Sequence, residues 1–250
     1  MCMIKAVSFD FWGTLFRDAF SKERQEYRAK AIVNTFKQGV SLENALEAMS
    51  VVVKEFARCH IEEQRTLTPE DAVDMVSLQL GIDLNKHEYE FLAEEFATAI
   101  LVFQPEPIEN ALDAVRFTSQ FVPVGLISDT GISPGKSLLK LLEIHGFTQY
   151  ISAYRFSDEE GVAKPQSIMF EKTAYELGVK TEELLHLGDL EPTDIVGIKS
   201  VGGYAGLFAG INLKYMTSTT ADFLFTNWLE YIENLPRILD NHFDNKKSVQ

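Results

Sequence analysis

The chain has 250 residues, 46% of them hydrophobic, which is enough for one large domain or for a core domain that carries a smaller insertion. Its two cysteines, Cys2 and Cys59, exclude a disulfide framework and a paired-cysteine metal site. The net charge of −14 disfavours nucleic acid and anionic lipid as partners, and no apolar run reaches the roughly 18 residues that a membrane span needs. We therefore expect a cytoplasmic protein with no nucleic-acid or membrane partner.

The first predicted element is a short strand that ends in a carboxylate. Residues Ile4 to Phe11 form an apolar run that contains Asp10 near its end, and Gly13 and Thr14 follow it. An apolar run bounded by turn-forming residues predicts a buried strand that opens into a loop. Asp10 is therefore expected at the carboxyl end of this strand.

A helical block follows, from about Phe20 to Phe103. Within it, apolar residues recur at the i, i+3 and i+4 spacing of an amphipathic helix; they are Leu42, Ala45, Leu46, Met49, Val53 and Phe56. Residues Thr68 to Asp71 predict a helix start, Gly81 a helix stop, and Lys86 to Val102 another helix. The segment from Gln104 to Pro107 contains two prolines and is the predicted hinge.

After this hinge, predicted helices and strands alternate, which favours a doubly wound parallel sheet. The segments are 108–118, 122–128, 134–144, 151–156, 167–177 and 184–187, with further strands at 203–208 and 222–225 and a closing helix at 228–239. The predicted fold class is α/β, with a core of residues 1–17 and 105–240, a helical insertion at 18–104, and a frayed polar tail at 241–250.

Polar clusters stand at the ends of three predicted strands. They are Asp10 to Thr14, Ser128 to Gly131 and Gly188 to Asp194. Ligands of open parallel sheets bind outside the carboxyl ends of the strands. We therefore expect these three clusters to converge on one site.

The clusters, together with one further pair, resemble the four motifs of the haloacid dehalogenase (HAD) superfamily, in order. The segment Asp10-Phe11-Trp12-Gly13-Thr14-Leu15 is similar to the first motif, whose usual form is DxDGT. Ser128, in Leu-Ile-Ser-Asp, resembles the second motif, Lys164-Pro165 the third, and Gly188-Asp189 with Asp194 the fourth. The resemblance covers nearly the whole chain and implies a Rossmann-like core with a C1-type helical cap.

The resemblance implies a magnesium-dependent hydrolase, with a phosphatase acting on a small phosphorylated molecule as the expected form. Asp10 would attack phosphorus and form an aspartyl phosphate. Lys164 and Ser128 would act with it in catalysis, by contacting phosphoryl oxygens. An anion cradle for the substrate would come from the backbone amides of Gly13, Thr14 and Asp129. We expect a monomer or a homodimer.

The same resemblance implies a Mg²⁺ site. Carboxylate oxygens of Asp10, Asp189 and Asp194 are the hard ligands that Mg²⁺ prefers, and the backbone carbonyl of Trp12 would add another.

Trp12 is a departure from the HAD phosphatase pattern, which places a second aspartate two residues after the nucleophile as a general acid. An indole has no titratable proton near neutral pH. One alternative is therefore a 2-haloacid dehalogenase, whose branch places a tyrosine here. That branch also uses a cap arginine about thirty residues after the nucleophile and lacks the Gly-Asp metal motif. Here no arginine occurs between Ile32 and Lys54, and Gly188-Asp189 is present. Both observations count against the dehalogenase alternative.

A second alternative is a weakly active or inactive HAD domain that binds a phosphorylated ligand. The intact Asp10, Lys164, Asp189 and Asp194 count against it, because a pure binder has no need of a nucleophile beside a metal site.

Some charged residues are less easily assigned. Arg17, Arg24 and Arg28 are candidates for substrate contact because cations near a phosphate site would help, although ordinary solvated helix charges are the favoured interpretation. His186 is expected to be packed in the core and not to act as a ligand.

Overall fold

The computed structural model describes residues 3–36 and 39–240, so the predicted frayed tail at 241–250 lies outside the described residues. In chain order the strands are β1 (Ala6–Phe9), β2 (Phe16–Arg17), β3 (Glu106–Pro107), β4 (Val124–Ser128), β5 (Ala153–Phe156), β6 (Leu184–Gly188), β7 (Tyr204–Phe208) and β8 (Phe223–Phe225). The α-helices are α1 (Ser21–Phe36), α2 (Leu42–Arg58), α3 (Pro69–Leu80), α4 (Lys86–Val102), α5 (Ala111–Thr118), α6 (Gly135–Ile144), α7 (Ser157–Glu160), α8 (Ser167–Glu176), α9 (Val196–Ser200) and α10 (Trp228–Leu239). Short π-helical turns cover Cys59–Glu63 and Glu191–Ile195, and a 3₁₀ turn covers Thr181–Glu183.

A six-stranded parallel sheet forms the core, with strand order β5-β4-β1-β6-β7-β8. The chain moves outward from β1 to β4 and β5, and then returns to β6 on the opposite side of β1. The direction of winding therefore reverses at β1, which places the binding crevice at the carboxyl ends of β1, β4 and β6. The predicted fold class, a doubly wound parallel sheet with a helical insertion, is confirmed.

Helix α10 supports the loop that follows β1. The Phe9 ring packs edge-on against the rings of Trp228 and Tyr231, with centroids 5.5 and 5.9 Å apart. The indole Nε1 of Trp228 donates a hydrogen bond to the Thr14 carbonyl at 3.1 Å. Both aromatic residues of α10 are fully buried, so the closing helix fixes the position of the first polar cluster.

Helices α1 to α4 form the helical insertion, and they enclose a hydrophobic core of their own. Its members include Ile32, Met49, Val73, Leu92 and Phe96. The predicted helix start and stop are found: Thr68 caps α3 in a capping box with Asp71, and Gly81 ends it with φ 64°.

The apolar stripe predicted on α2 is confirmed only in part: Ala45 and Met49 are buried and Phe56 packs partly buried against the same core, whereas its other three members are exposed. Leu42, Leu46 and Val53 are each 38% exposed, while the buried face is formed by Ala45, Ala48, Met49 and Val52. Small alanine side chains let α2 approach α1 and α3 closely, so the buried face is shifted from the predicted stripe toward Ala48 and Val52.

The two segments that connect the core to the helical insertion form short strands and pair with each other. Strands β2 and β3 are antiparallel, with Phe16 opposite Pro107 and Arg17 opposite Glu106. The Ile108 amide donates to the Leu15 carbonyl at 2.9 Å and extends the pairing into the core. The second half of the predicted hinge, Glu106–Pro107, is therefore one strand of a small ribbon.

Within the described residues, every helix is too short or too polar to cross a lipid bilayer.

Candidate active site

The three polar clusters converge at the carboxyl ends of β1, β4 and β6. Carboxylate oxygens of Asp10, Asp189 and Asp194 all lie within 4.8 Å of one another, and all three residues are buried. They open into a cavity of about 470 Å³, here called the central cavity, which Trp12 and Lys164 also line. Side chains that are far apart in the sequence are thus brought together at the switch point of the sheet.

Lys164 lies at the centre of this carboxylate cluster. Its Nζ donates to Oδ1 of Asp10 at 2.6 Å and to Oδ1 of Asp194 at 2.5 Å. Burial by itself would lower the pKa of Lys164, but the charges of Asp10 and Asp194 raise it overall. The Lys164 amine is therefore protonated, and the two carboxylates share its charge.

Asp194 has both carboxylate oxygens engaged by the protein. Oδ1 lies 3.1 Å from His186 Nε2 and also accepts from Lys164, while Oδ2 accepts from the Leu190 amide at 3.0 Å. Burial raises the pKa of Asp194, but Lys164 and His186 outweigh it and hold the pKa below its ordinary value. A Cβ added at Gly188 would lie 2.2 Å from Asp194 Cγ, so the glycine makes room for this carboxylate.

His186 is fully buried in β6, as predicted for a packed residue. Its Nδ1 lies 2.9 Å from Ser8 Oγ, and its ring packs edge-on against Phe170. The imidazole therefore also positions Asp194, a role that the sequence prediction did not include.

Asp189 is held less tightly. Its Oδ2 accepts from Asn212 Nδ2 at 3.1 Å. Burial, followed by repulsion from Asp194, raises the pKa of Asp189 to about 6. The loop after β1 packs directly on this carboxylate, because a Cβ at Gly13 would lie 2.6 Å from Asp189 Oδ2 and Gly13 has φ +71°.

The residues present fit a divalent cation. Three carboxylates face one ammonium, so negative charge is in excess, and burial raises the pKa of Asp10 with only partial compensation by Lys164. Hard oxygen ligands of this kind suit Mg²⁺. Asp10 and Asp189 have the less engaged oxygens, which makes them the better candidates for direct coordination. Trp12 lines the same cavity, where its backbone carbonyl is the further predicted ligand.

The helical insertion closes the other side of the central cavity. Arg24 and Arg28 of α1 line it and are only 4% and 2% exposed. The Arg24 guanidinium stands 6.0 Å from the Trp12 ring centroid. His60, in the π-helical turn after α2, also lines the cavity, and its Nε2 lies 3.7 Å from Asp129 Oδ2.

Comparison with known proteins agrees with this geometry. The family profile described as haloacid dehalogenase-like hydrolase matches residues 4–202. The chain belongs to this family. Its structural neighbours share the fold at low sequence identity: a HAD phosphatase from Thermococcus onnurineus (TM-score 0.66, 21% identity, covering 93% of this chain and 98% of that one) and a 2-haloacid dehalogenase from Pseudomonas syringae (TM-score 0.69, 18% identity, covering 96% and 99%).

Two curated relatives of this HAD hydrolase are named glyceraldehyde 3-phosphate phosphatase. The Pyrococcus furiosus protein is 31% identical over 129 residues, which are 49% of this chain and 51% of that protein. The Methanopyrus kandleri protein is 28% identical over 210 residues, 80% of this chain and 82% of that protein. The first alignment thus spans about half of the relative, and the second most of it.

Three residues predicted to contact the substrate do not line the central cavity of this HAD hydrolase. They are Ser128, Gly13 and Thr14. Ser128 is fully buried and its Oγ donates to the Asp129 carbonyl at 3.3 Å. The wall after β4 is formed instead by Asp129 to Ser133. Their predicted contacts with a substrate stay predictions.

The favoured interpretation of Arg24 and Arg28 as solvated helix charges is wrong, since both are buried in the cavity wall, whereas Arg17 is exposed and outside it. The sequence does contain a pattern that indicates the burial of these two arginines. Polar residues recur on α1 at i, i+3, i+4 and i+7, which is one face of a helix; they are Ser21, Arg24, Gln25 and Arg28.

Asn212, by contrast, follows β7 in a loop with no motif, so nothing in the sequence pointed to its contact with Asp189.

Proposed function

We propose that this HAD hydrolase is a magnesium-dependent phosphatase that acts on a small phosphorylated metabolite through an aspartyl phosphate on Asp10. The observation that carries the proposal is the buried cluster of Asp10, Lys164, Asp189 and Asp194 at the base of the central cavity. The phosphatase names of the two curated relatives support the same reaction.

Asp10 supplies the nucleophile. One carboxylate oxygen attacks phosphorus, the bond to the leaving oxygen breaks, and the leaving oxygen takes up a proton from water, since Trp12 supplies no acid. Water then cleaves the aspartyl phosphate, which releases inorganic phosphate and restores Asp10. Lys164 reduces the repulsion between Asp10 and an anionic substrate, because its ammonium lies 2.6 Å from the attacking carboxylate. Mg²⁺ held by Asp10, Asp189, Asp194 and the Trp12 carbonyl would gather negative charge from the phosphoryl oxygens.

Residues 18–104 act as a cap in this proposal. Several hydrogen bonds hold the helical insertion against the core: Thr66 Oγ1 to Ser157 Oγ at 2.6 Å, Ser137 Oγ to the Ala97 carbonyl at 2.8 Å, and the Ala163 amide to the Gln64 carbonyl at 2.9 Å. Closure of this kind excludes bulk water from the reacting groups and restricts the substrate to small molecules.

A dehalogenase is the second candidate, and the aromatic ring of Trp12 in the cavity wall is the observation that favours it. Two features favour phosphoryl transfer instead. They are the cluster of three carboxylates, from Asp10, Asp189 and Asp194, and the hydrogen bonds that Lys164 donates to two of them. A mixed screen in Mg²⁺, with phosphorylated metabolites and 2-haloacids, tests the two. We expect phosphate release from at least one ester, no halide release, and loss of activity in excess chelator. Halide release or full activity in chelator contradicts the proposal.

The two fourth-motif aspartates are expected to differ in metal binding. Asp189→Ala should weaken Mg²⁺ affinity more than Asp194→Ala, because the oxygens of Asp194 are already engaged by Lys164, His186 and the Leu190 amide. Asp194→Ala should instead destabilise the fold by about 3–5 kcal/mol, since it leaves the buried Lys164 short of a partner. Calorimetric Mg²⁺ titration and thermal unfolding of both variants measure the contrast. Equal losses of affinity with equal stability would contradict it.

A further inference from the structure

Helix α1 presents one polar face to the central cavity. Ser21, Arg24, Gln25 and Arg28 all line it, and their spacing places them along a single stripe. Helical faces that turn toward the interior are ordinarily apolar, so this stripe needs a polar occupant of the cavity.

Arg28 carries a buried positive charge without an acidic partner. It is 2% exposed, and its guanidinium donates from Nε to the Phe96 carbonyl at 3.0 Å and from Nη2 to Ser133 Oγ at 3.0 Å. Both acceptors are neutral. Among the described residues no carboxylate forms an ion pair with Arg28, whereas Arg24 pairs with Asp18. Burial, followed by repulsion from Arg24, lowers the pKa of Arg28 to about 9, so it stays charged at neutral pH. A buried charge of this kind is costly unless an anion reaches it.

Gln25 adds a second unsatisfied group to the same face. Its Oε1 is buried and accepts no hydrogen bond from the described part of the chain. If an anionic group of a ligand binds to Arg28, a hydroxyl group beside that anion would supply the hydrogen-bond donor that Gln25 Oε1 lacks.

The position of Arg28 separates it from the reacting phosphoryl group. Arg24 is the arginine near the nucleophile loop, 6.0 Å from the Trp12 ring, and Arg28 lies one turn, about 6 Å, further along α1. Lys164 already serves Asp10. The free charge of Arg28 is therefore available to the remote end of a substrate.

We propose that the polar face of α1 is a subsite for a carboxylate on the leaving group, with Arg28 as its guanidinium partner and Gln25 as acceptor of a neighbouring hydroxyl. The substrate class is then the phosphate monoester of a small hydroxy acid. One uncompensated cation matches a monoanionic carboxylate, and the planar guanidinium fork suits its geometry. This inference rests on the proposed phosphatase function. It also distinguishes this chain from the two curated relatives, whose named substrate ends in an uncharged aldehyde.

Three esters of the same carbon skeleton test the subsite: 3-phosphoglycerate, glyceraldehyde 3-phosphate and glycerol 3-phosphate, which end in a carboxylate, an aldehyde and an alcohol. With Mg²⁺ present, wild type should favour the acid over the alcohol by at least about tenfold in kcat/KM, and Arg28→Gln should reduce that ratio by about 30-fold or more, mainly through KM. Arg28→Lys, which keeps the charge but not the fork, should retain part of the preference. Lys30→Gln is the matched control, because Lys30 lies on the same helix with its side chain 58% exposed and should keep the wild-type ratio.

Two results would overturn the subsite: no preference for the acid in wild type, or an equal loss for all three esters in Arg28→Gln at an unchanged unfolding temperature. The second would place Arg28 on the transferring phosphoryl group. Calorimetric binding of 3-phosphoglycerate and glycerol 3-phosphate to wild type and to Arg28→Lys gives a readout that needs no turnover. Binding that favours the acid and weakens in Arg28→Lys, without phosphate release from any ester or from p-nitrophenyl phosphate, would reject the phosphatase function and keep the subsite.

Discussion

Asp10→Asn is expected to reduce turnover by about 10⁴-fold or more, the order of effect that removal of a covalent nucleophile has in well-studied enzymes. The amide cannot attack phosphorus, although its oxygen still accepts the hydrogen bond from Lys164. Stability should be kept or raised, because burial and the neighbouring carboxylates make an ionised Asp10 costly, which is what the raised pKa of this residue expresses.

Single-turnover phosphate release and thermal unfolding in chelator would measure both effects. Beryllium fluoride with Mg²⁺ should raise the unfolding temperature of wild type only, since it mimics the phosphorylated aspartate. Asp83→Asn is the matched control, because Asp83 is exposed in the loop after α3 and should keep wild-type activity. Wild-type turnover in Asp10→Asn would remove Asp10 as the nucleophile.

Trp12→Asp is expected to raise the turnover of alkyl phosphates by up to about 10²–10⁴-fold, the usual contribution of a positioned general acid. Wild type has an indole where the family's phosphatases have the acid, so its rate should fall steeply as the pKa of the leaving alcohol rises. Among esters that carry no carboxylate for the α1 subsite, aryl and acyl phosphates should react fastest, and the variant should show a shallower dependence. Trp12 lines the cavity and packs against Phe11 with ring centroids 4.9 Å apart, so a carboxylate placed here would reach the same space.

Single-turnover rates over a series of phosphate esters measure that slope for wild type, Trp12→Asp and Trp12→Phe. The phenylalanine variant removes the indole without adding an acid and should keep the steep slope. Circular dichroism checks that each variant folds. A wild-type slope already as shallow as that of Trp12→Asp would mean that another group protonates the leaving oxygen. His60 and Asp129 both line the cavity, with Nε2 and Oδ2 3.7 Å apart, and are the side chains in place to do so.

The sheet could be predicted from the sequence because most of its strands are short, largely apolar runs with turn-forming residues at their ends. Such runs are informative in a parallel sheet, because helices cover both of its faces and its strands are therefore mainly apolar. The convergence of Asp10, Asp129, Asp189 and Asp194 followed from the same rule, since the carboxyl ends of parallel strands share one edge. Pairing of β2 with β3 could not be predicted, because two-residue strands carry no periodicity.

Side-chain orientation on the helices was predictable only in part. On α2, alanines and larger apolar residues alternate around the helix, and the sequence does not say which face meets its neighbours. On α1 the buried face is polar, so a search for apolar periodicity overlooks it, and Arg24 and Arg28 were assigned to solvent. Burial of such residues depends on where the helix lies over the cavity, which is a property of tertiary packing and not of local pattern.

The small ribbon of β2 and β3 makes the insertion modular. Since Phe16 lies directly opposite Pro107, the polypeptide leaves the Rossmann-like core and re-enters it at the same point. We therefore expect that a different unit, or a tight turn, can replace everything between these residues without moving a strand of the sheet. Chimaeras that join this catalytic base to the insertion of another family member at the ribbon should fold. In the reverse exchange, which places this chain's insertion on the core of another family member, the polar face of α1 is transferred as one piece, and the preference for its substrate should be transferred with it.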